Sequence, residues 1–198
     1  MNERKQVTVP FDEAQALELC AGDQVLISGI LYTARDAAHQ RLDALLSRGE
    51  PLPVALRDGI LYYVGPAPAT PGVVGGPAGP TTSYRMDGFA PRLMRETGLR
   101  GMIGKGKRSP EVVDAIRSCR GVYFAAIGGA GALLAQTVKA SETAAYPELG
   151  AEAIYRLTVQ NFPAVVVIDC AGNNLYELGP EAYRASQSDG AAPSPHRE

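Results

Sequence analysis

The sequence predicts an α/β domain, and three observations carry that expectation. Runs rich in β-branched and aromatic residues alternate with runs whose apolar residues recur at helical spacing. The segment Ala164 to Asp169 (AVVVID) is apolar up to its last residue, as in a strand covered on both faces. The chain has 198 residues, 45% hydrophobic and 20% charged, which is enough for one ordinary core without staples.

The elements follow in order. Gln24 to Ala34 (QVLISGILYTA) is β-rich, and Gly29 in its middle predicts a bulge or bend. Asp36 is expected to cap the next helix, in which Ala38, Leu42, Leu45 and Leu46 recur at helical spacing until Gly49 ends the pattern. Ile60 to Val64 reads as a buried strand. Gly65 to Pro80 holds five glycines and five prolines in sixteen residues, so no helix or central strand runs through it, and a long ordered loop is expected. Met86 to Thr97 is expected to be helical, with Pro91 in its first turn. Leu99 to Ile103 predicts a short strand, followed by the basic glycine loop Gly104 to Arg108 (GKGKR). Ser109 is placed to cap a helix opened by Pro110 and Glu111 and running to about Ser118. Gly121 to Ile127 predicts another strand, the glycines from Gly128 to Gly131 a tight turn, and Ala132 to Ala140 a helix. After the strand at Ala164, Gly172-Asn173-Asn174 predicts a turn and Leu175 to Leu178 a final short strand. The order suggests a β-rich first half and a βαβ-like second half. One domain is expected over residues 1–180, with 181–198 a disordered polar tail.

Composition excludes several function classes. Lys and Arg total 19 against 21 for Asp and Glu, a net charge of -2, without the basic excess of a nucleic-acid binder. No apolar run approaches the roughly 18 residues that cross a bilayer. Met1 to Pro10 is polar and carries no signal-peptide core, so a cytoplasmic location is expected. Cys20, Cys119 and Cys170 are far apart and show no CxxC spacing, so neither a disulfide framework nor a metal site within the chain is expected. His196 lies in the tail, leaving His39 alone in the body and giving little support to a Ser-His-Asp hydrolase.

Two glycine-rich segments invite a nucleotide reading. Gly101 to Lys107 fits G-x-x-x-x-G-K, but Arg108 stands where a P-loop needs a magnesium-binding hydroxyl. Gly128-Gly129-Ala130-Gly131 is a strand-to-helix turn able to face an anion, yet it lacks the G-x-G-x-x-G spacing. Cations and hydroxyls beside glycines at element ends are more informative. Arg35 follows a strand, Thr81, Thr82, Ser83 and Arg85 follow the Gly/Pro loop, and Lys105 sits on the GKGKR loop. Guanidinium and ammonium groups on separate loops at one sheet edge would suit a small dicarboxylate. Lys107 and Arg108 are expected to be solvated surface charges.

Several motifs occur together in a fixed order. They are Thr33-Ala-Arg-Asp-Ala-Ala-His39, Tyr63-Val-Gly-Pro-Ala-Pro68, Gly79-Pro-Thr-Thr-Ser-Tyr-Arg-Met-Asp87 and Met102-Ile-Gly-Lys-Gly106, then Ile127-Gly-Gly-Ala130, Tyr146-Pro-Glu-Leu-Gly150 and Gly172-Asn-Asn-Leu-Tyr176. Over about residues 5–180 the chain resembles the β subunit, or C-terminal domain, of the iron–sulfur hydro-lyases: class I fumarate hydratase and L(+)-tartrate dehydratase. The resemblance implies a swivelling β/β/α domain. It also implies the β subunit of a two-subunit fumarate hydratase, with L(+)-tartrate dehydratase as the alternative. An anion- or nucleotide-binding module is the alternative from another class. The implied partner is an α subunit carrying a [4Fe–4S] cluster, in an α/β hetero-oligomer, with no metal ligand on this chain and a homodimer as the alternative assembly for the isolated chain. Residue by residue, the resemblance places substrate-carboxylate binding on Arg35 and Arg85, the proton-abstracting hydroxyl on Thr81, and stabilisation of developing negative charge on Lys105. Asp36 and His39 are expected to support or cap, Asp36 as the cap. Ser83-Tyr84 stands where many single-chain members carry Ala-Gly, which leaves fumarate or tartrate open.

Overall fold

The computed structural model describes residues 4–65, 79–126 and 131–180. The Gly-Pro-Ala-Pro segment beyond Gly65, the Ile127 to Ala130 turn and the 181–198 tail lie outside the described residues. The elements are β1 (Lys5–Thr8), α1 (Glu13–Leu17), β2 (Gln24–Thr33), α2 (Asp36–Ser47), β3 (Ile60–Tyr62), a 3-10 turn (Ser83–Met86), α3 (Ala90–Thr97) and β4 (Gly101–Gly104). There follow α4 (Pro110–Ser118), β5 (Val122–Ala126), α5 (Gly131–Thr137), β6 (Val138–Ala145), a second 3-10 segment (Pro147–Glu152) and β7 (Ile154–Ile168). Residues 175–180 are helical, not the expected strand.

The class is α/β as expected, but the strands do not divide into two halves. They form one seven-stranded sheet, with β1 to β5 running in chain order and β7 then β6 completing it. The neighbours from β1 to β5 are parallel, and β7 is antiparallel to both β5 and β2. The β2–β7 pairing closes the sheet on itself, giving a barrel-like circuit through β2, β3, β4, β5 and β7.

Closure depends on a long, bulged strand. β7 spans 15 residues, far more than its apolar C-terminal half. Its ladder with β2 slips between Ile27 and Gly29, where Gly29 takes φ +124° and a Cβ would meet the Val9 carbonyl at 2.7 Å. The bulge predicted at Gly29 is therefore present, and its cause is the close passage of the chain after β1. Opposite it, Asn161 adopts φ 54° within β7.

Two apolar layers fill the structure. One holds Val7, Phe11, Ile27, Leu31, Tyr62, Ile103, Phe124, Phe162 and Val166. The other lies under the helices and holds Ala38, Leu42, Leu61, Tyr63, Met86, Leu93, Val112, Ile116 and Tyr123. The consecutive pair Tyr62 and Tyr63 serves one layer each, because successive strand residues face opposite sides.

Some helix boundaries differ from expectation. Phe89, not the start of a longer helix, precedes α3, because the chain from Ser83 first makes a 3-10 turn. α5 ends at Thr137, and Val138 begins a strand where a helix to Ala140 was expected. Asp36 is not the N-cap of α2; Arg35 occupies that position without a side-chain cap. The α2 N–H of Ala37 is instead accepted by Glu152 Oε2 at 2.9 Å.

Candidate active site

The parallel ladders bring the C-terminal ends of β2, β3 and β4 to one edge of the sheet, the edge at which open α/β sheets place their ligands. Arg35 follows β2, Tyr63 to Gly65 follow β3, and Lys105 follows β4. β3 and β4 are still joined at Tyr63, whose N–H donates to the Ile103 carbonyl at 2.8 Å. Beyond that point residues 81–83 wedge between the strand ends. Thr81 N–H donates to the Tyr63 carbonyl at 2.7 Å, and Ser83 N–H donates to the Lys105 carbonyl at 2.9 Å. Thr82 and Lys105 form a parallel bridge. The wedge brings Thr81, Arg85 and Lys105 from two segments to one place.

Glycine permits the contact. A Cβ on Gly104 would lie 1.9 Å from Ser83 Oγ and 3.1 Å from the Tyr63 ring. Only a residue without a side chain lets the wedge approach the end of β4 so closely.

The cations are held differently. Arg85 donates through Nε to Asp36 Oδ1 at 3.0 Å, and its Nη2 lies 2.7 Å from Oδ2 as an ion contact without hydrogen-bond geometry. This ties the 3-10 turn to the first turn of α2, beside Arg35. Arg35 lies over Gly65, where a Cβ would be 2.7 Å from Nη1, and its Nη2 stands 3.5 Å from Glu152 Oε1. Its Nε is buried with no hydrogen-bond partner among the described residues. Lys105 is exposed and Thr81 half-buried. The structure therefore gathers Arg35, Thr81, Arg85 and Lys105 on one edge and assigns Asp36 to Arg85.

Arg108 overturns its expectation. Its side chain is fully enclosed, with Nε donating to Asp87 Oδ1 at 2.7 Å. The guanidinium lies over the rings of Tyr63 and Tyr123, 5.3 and 5.0 Å from their centroids. Burial works against its charge, but Tyr63, Asp87 and Tyr123 outweigh burial and raise its pKa above the usual value. Lys107 is exposed, as expected.

His39 is wholly buried beside Tyr63 and Phe89, with ring centroids 5.4 and 5.9 Å away. Its Nδ1 lies 2.8 Å from the Arg35 carbonyl, so Nδ1 carries the proton and the ring fixes the backbone of Arg35. Burial pushes its pKa down to about 4, with the Arg108 charge adding to the effect, so the imidazole is neutral near pH 7.

Sequence reasoning missed Glu152, Tyr123 and Tyr176. Tyr176 and Glu152 stand in or beside quoted motifs, and that placement was the available signal. Cys20 is exposed, Cys119 half-buried and Cys170 buried. Among the described residues no group of three or more His, Cys, Asp or Glu could hold a metal, so these residues do not fit a cluster. Among them also, no helix is long and apolar enough to cross a membrane.

Comparison with known proteins identifies the family of the chain. A family model described as the fumarase C-terminus matches residues 2–179. Fumarate hydratase 2 of Leishmania major is 38% identical over 170 residues, covering 84% of this chain and 30% of that protein. The aerobic class I fumarate hydratase of Escherichia coli strain K12 is 38% identical over 165 residues, covering 83% of this chain and 30% of that enzyme. A putative L(+)-tartrate dehydratase subunit beta of Methanocaldococcus jannaschii is 38% identical over 165 residues, covering 81% of this chain and 85% of that protein. The chain thus spans under a third of those fumarate hydratases but most of the tartrate dehydratase subunit, and by the extent of the match it belongs to the fumarase C-terminus family.

Proposed function

We propose that this chain is the β subunit of a two-subunit class I fumarate hydratase, a hydro-lyase that interconverts fumarate and L-malate. The observation that carries the reading is the wedge of residues 81–83 between the ends of β3 and β4, which sets Thr81 and Arg85 beside Lys105 on the edge that also bears Arg35. In this reading the domain is of the swivelling β/β/α class, extends through residue 180 and works in the cytoplasm.

Arg35 and Arg85 hold the two carboxylates of a four-carbon substrate. Each guanidinium offers donors beyond those engaged by Glu152 and Asp36. The Thr81 side-chain oxygen, in its deprotonated form, takes up the proton removed in the dehydration direction and becomes the neutral hydroxyl, and the positive charges of Lys105 and Arg85 on the same edge favour the deprotonated form. Lys105 also stabilises the negative charge that develops on the substrate carboxylate. A [4Fe–4S] cluster carried by the partner α subunit would supply Lewis-acid chemistry toward the substrate's oxygens, while this chain would provide Arg35, Arg85, Thr81 and Lys105. Exposure of Lys105 and Arg85 supports a site closed by that second chain in an α/β hetero-oligomer.

A second substrate is favoured by one comparison. The relative that this chain covers over 85% of its length is named as a tartrate dehydratase subunit beta. Steady-state assays of the complex reconstituted with its cluster-bearing partner, on fumarate, L-malate and L(+)-tartrate, decide between the two. The expected result is turnover of fumarate and malate, and a strong preference for tartrate overturns it. Calorimetry on the chain alone tests the remaining alternative, since tight binding of ATP or NAD would favour a nucleotide module.

A further inference from the structure

Every backbone polar group of Lys105 and Gly106 is engaged by a side chain or by the wedge. Lys105 N–H donates to Ser83 Oγ at 3.1 Å, and the Lys105 carbonyl accepts from Ser83 N–H at 2.9 Å. Gly106 N–H donates to Tyr176 Oη at 3.1 Å, and the Gly106 carbonyl lies 3.1 Å from the donating hydroxyl of Tyr123. Tyr123 Oη is also 2.9 Å from Ser83 Oγ, which joins the hydroxyls on that side of the loop. Ser83 is fully buried, and burial raises the pKa of Tyr123, so both remain neutral hydrogen-bonding hydroxyls.

The sources of these groups are separate. Ser83 comes from the wedge, Tyr123 from β5 and Tyr176 from the helical residues 175–180. A short glycine loop has little stiffness of its own, because glycine opens a wide range of backbone conformations. Gly106 sits at φ +86°, where only the surrounding contacts choose one conformation. The functional residue of this loop is the exposed Lys105, whose long stem cannot define its own origin.

We infer that Ser83, Tyr123 and Tyr176 are positioning residues that clamp the Lys105–Gly106 backbone and thereby fix the origin of the Lys105 ammonium. This inference rests on the hydro-lyase reading for what Lys105 does, but the clamp itself does not. Tyr176 gives the C-terminal Asn-Asn-Leu-Tyr segment a role in the geometry of the site. Ser83 acts through the backbone of Lys105 and does not itself touch substrate.

Ser83→Ala and Tyr176→Phe each remove one acceptor oxygen with almost no change in shape, so the full chain should fold normally. Amide hydrogen exchange read at single residues is the first measurement. The expected result is faster exchange of Lys105 N–H in Ser83→Ala and of Gly106 N–H in Tyr176→Phe, by about tenfold or more, at nearly unchanged melting temperature. In the complex reconstituted with its partner, kcat should fall by about tenfold or more while KM for fumarate stays within about threefold, as for a group needed mainly in the transition state. Unchanged exchange in both variants overturns the clamp. Faster exchange with unchanged kcat overturns the positioning role. If the wild-type complex turns over neither fumarate, malate nor tartrate, the hydro-lyase reading and the positioning role fall together, and the exchange data alone decide the clamp.

Discussion

The Arg108 guanidinium, with no exposed surface, is bonded to Asp87 through Nε at 2.7 Å, and Asp87 Oδ2 also accepts the Ser109 N–H at 2.6 Å. The pair bridges the end of the wedge to the start of α4 and so holds the two segments carrying Arg85 and Lys105. Arg108→Met should therefore cost about 3–5 kcal/mol, because it leaves a largely buried carboxylate without its cation and removes the contact with two tyrosine rings. Arg108→Lys keeps the charge but not the planar fork, and should fall between wild type and Arg108→Met. Urea unfolding of both variants checks this. A loss below about 1 kcal/mol in Arg108→Met would place the pair among surface ion pairs of little consequence.

Glu152 performs two tasks, the first of which, capping of α2, the sequence assigned to Asp36. Oε2 accepts the first-turn N–H of Ala37, and Oε1 faces Arg35 at 3.5 Å. Glu152→Gln retains an oxygen for Ala37 but loses the charge that orients Arg35. Its stability should remain near wild type, while KM for the dicarboxylate rises several-fold at little-changed kcat. Glu152→Ala should show the same KM effect and lose about 1 kcal/mol of stability with the cap. A lower KM in Glu152→Gln would mean that Glu152 competes with substrate for Arg35.

The α/β class and most strand positions were legible because each rests on local signals, whereas the set Arg35, Thr81, Arg85 and Lys105 was implied by the ordered motifs and their resemblance to the hydro-lyase family. Apolar runs mark buried strands, and glycines beside cations mark strand ends. What escaped depends on distant partners. Arg108 looked like a surface charge in GKGKR because its enclosure comes from Tyr63, just after β3, and Tyr123 on β5. The first half of β7 was missed because Asn161 and Pro163 are residue types that local propensity disfavours in strands, yet both fall within one bulged strand opposite Gly29. β6 has only its first residue buried, so no periodic pattern announces it, and pairing with β7 is what makes it a strand. Asp36 carries a helix-start signal, yet Arg85 claims its carboxylate.

His39 gives the stability a pH dependence with a defined sign. Its folded pKa of about 4 lies below the ordinary histidine value of 6.5, so the unfolded chain binds the proton more readily. The associated stability is fully present above pH 6.5 and is lost as pH falls toward 4, on the order of 3 kcal/mol in total. Between pH 6.5 and 5 the slope of unfolding free energy against pH should approach about 1.4 kcal/mol per unit from this group. His39→Gln should be less steep by that amount, whatever its own stability. Denaturant melts at several pH values measure both slopes, and equal slopes would remove His39 from the account.

Gly104 offers the most direct test of the wedge. In Gly104→Ala the new methyl group would overlap Ser83 Oγ, at 1.9 Å, and press on the Tyr63 ring at 3.1 Å. Overpacking of this kind costs about 1–3 kcal/mol and displaces one of the contacting segments. The displaced segment carries Thr81 and Arg85 or else Lys105, so activity should fall by about a hundredfold. Removing the hydroxyl takes away the shortest overlap, so Gly104→Ala/Ser83→Ala should melt higher than Gly104→Ala alone. Its activity should stay low, because the acceptor for Lys105 N–H is gone. Tyr63 still limits the space, so stability should recover only in part. If the double variant melts no higher than Gly104→Ala, the contact between Ser83 and the end of β4 is not what requires glycine there.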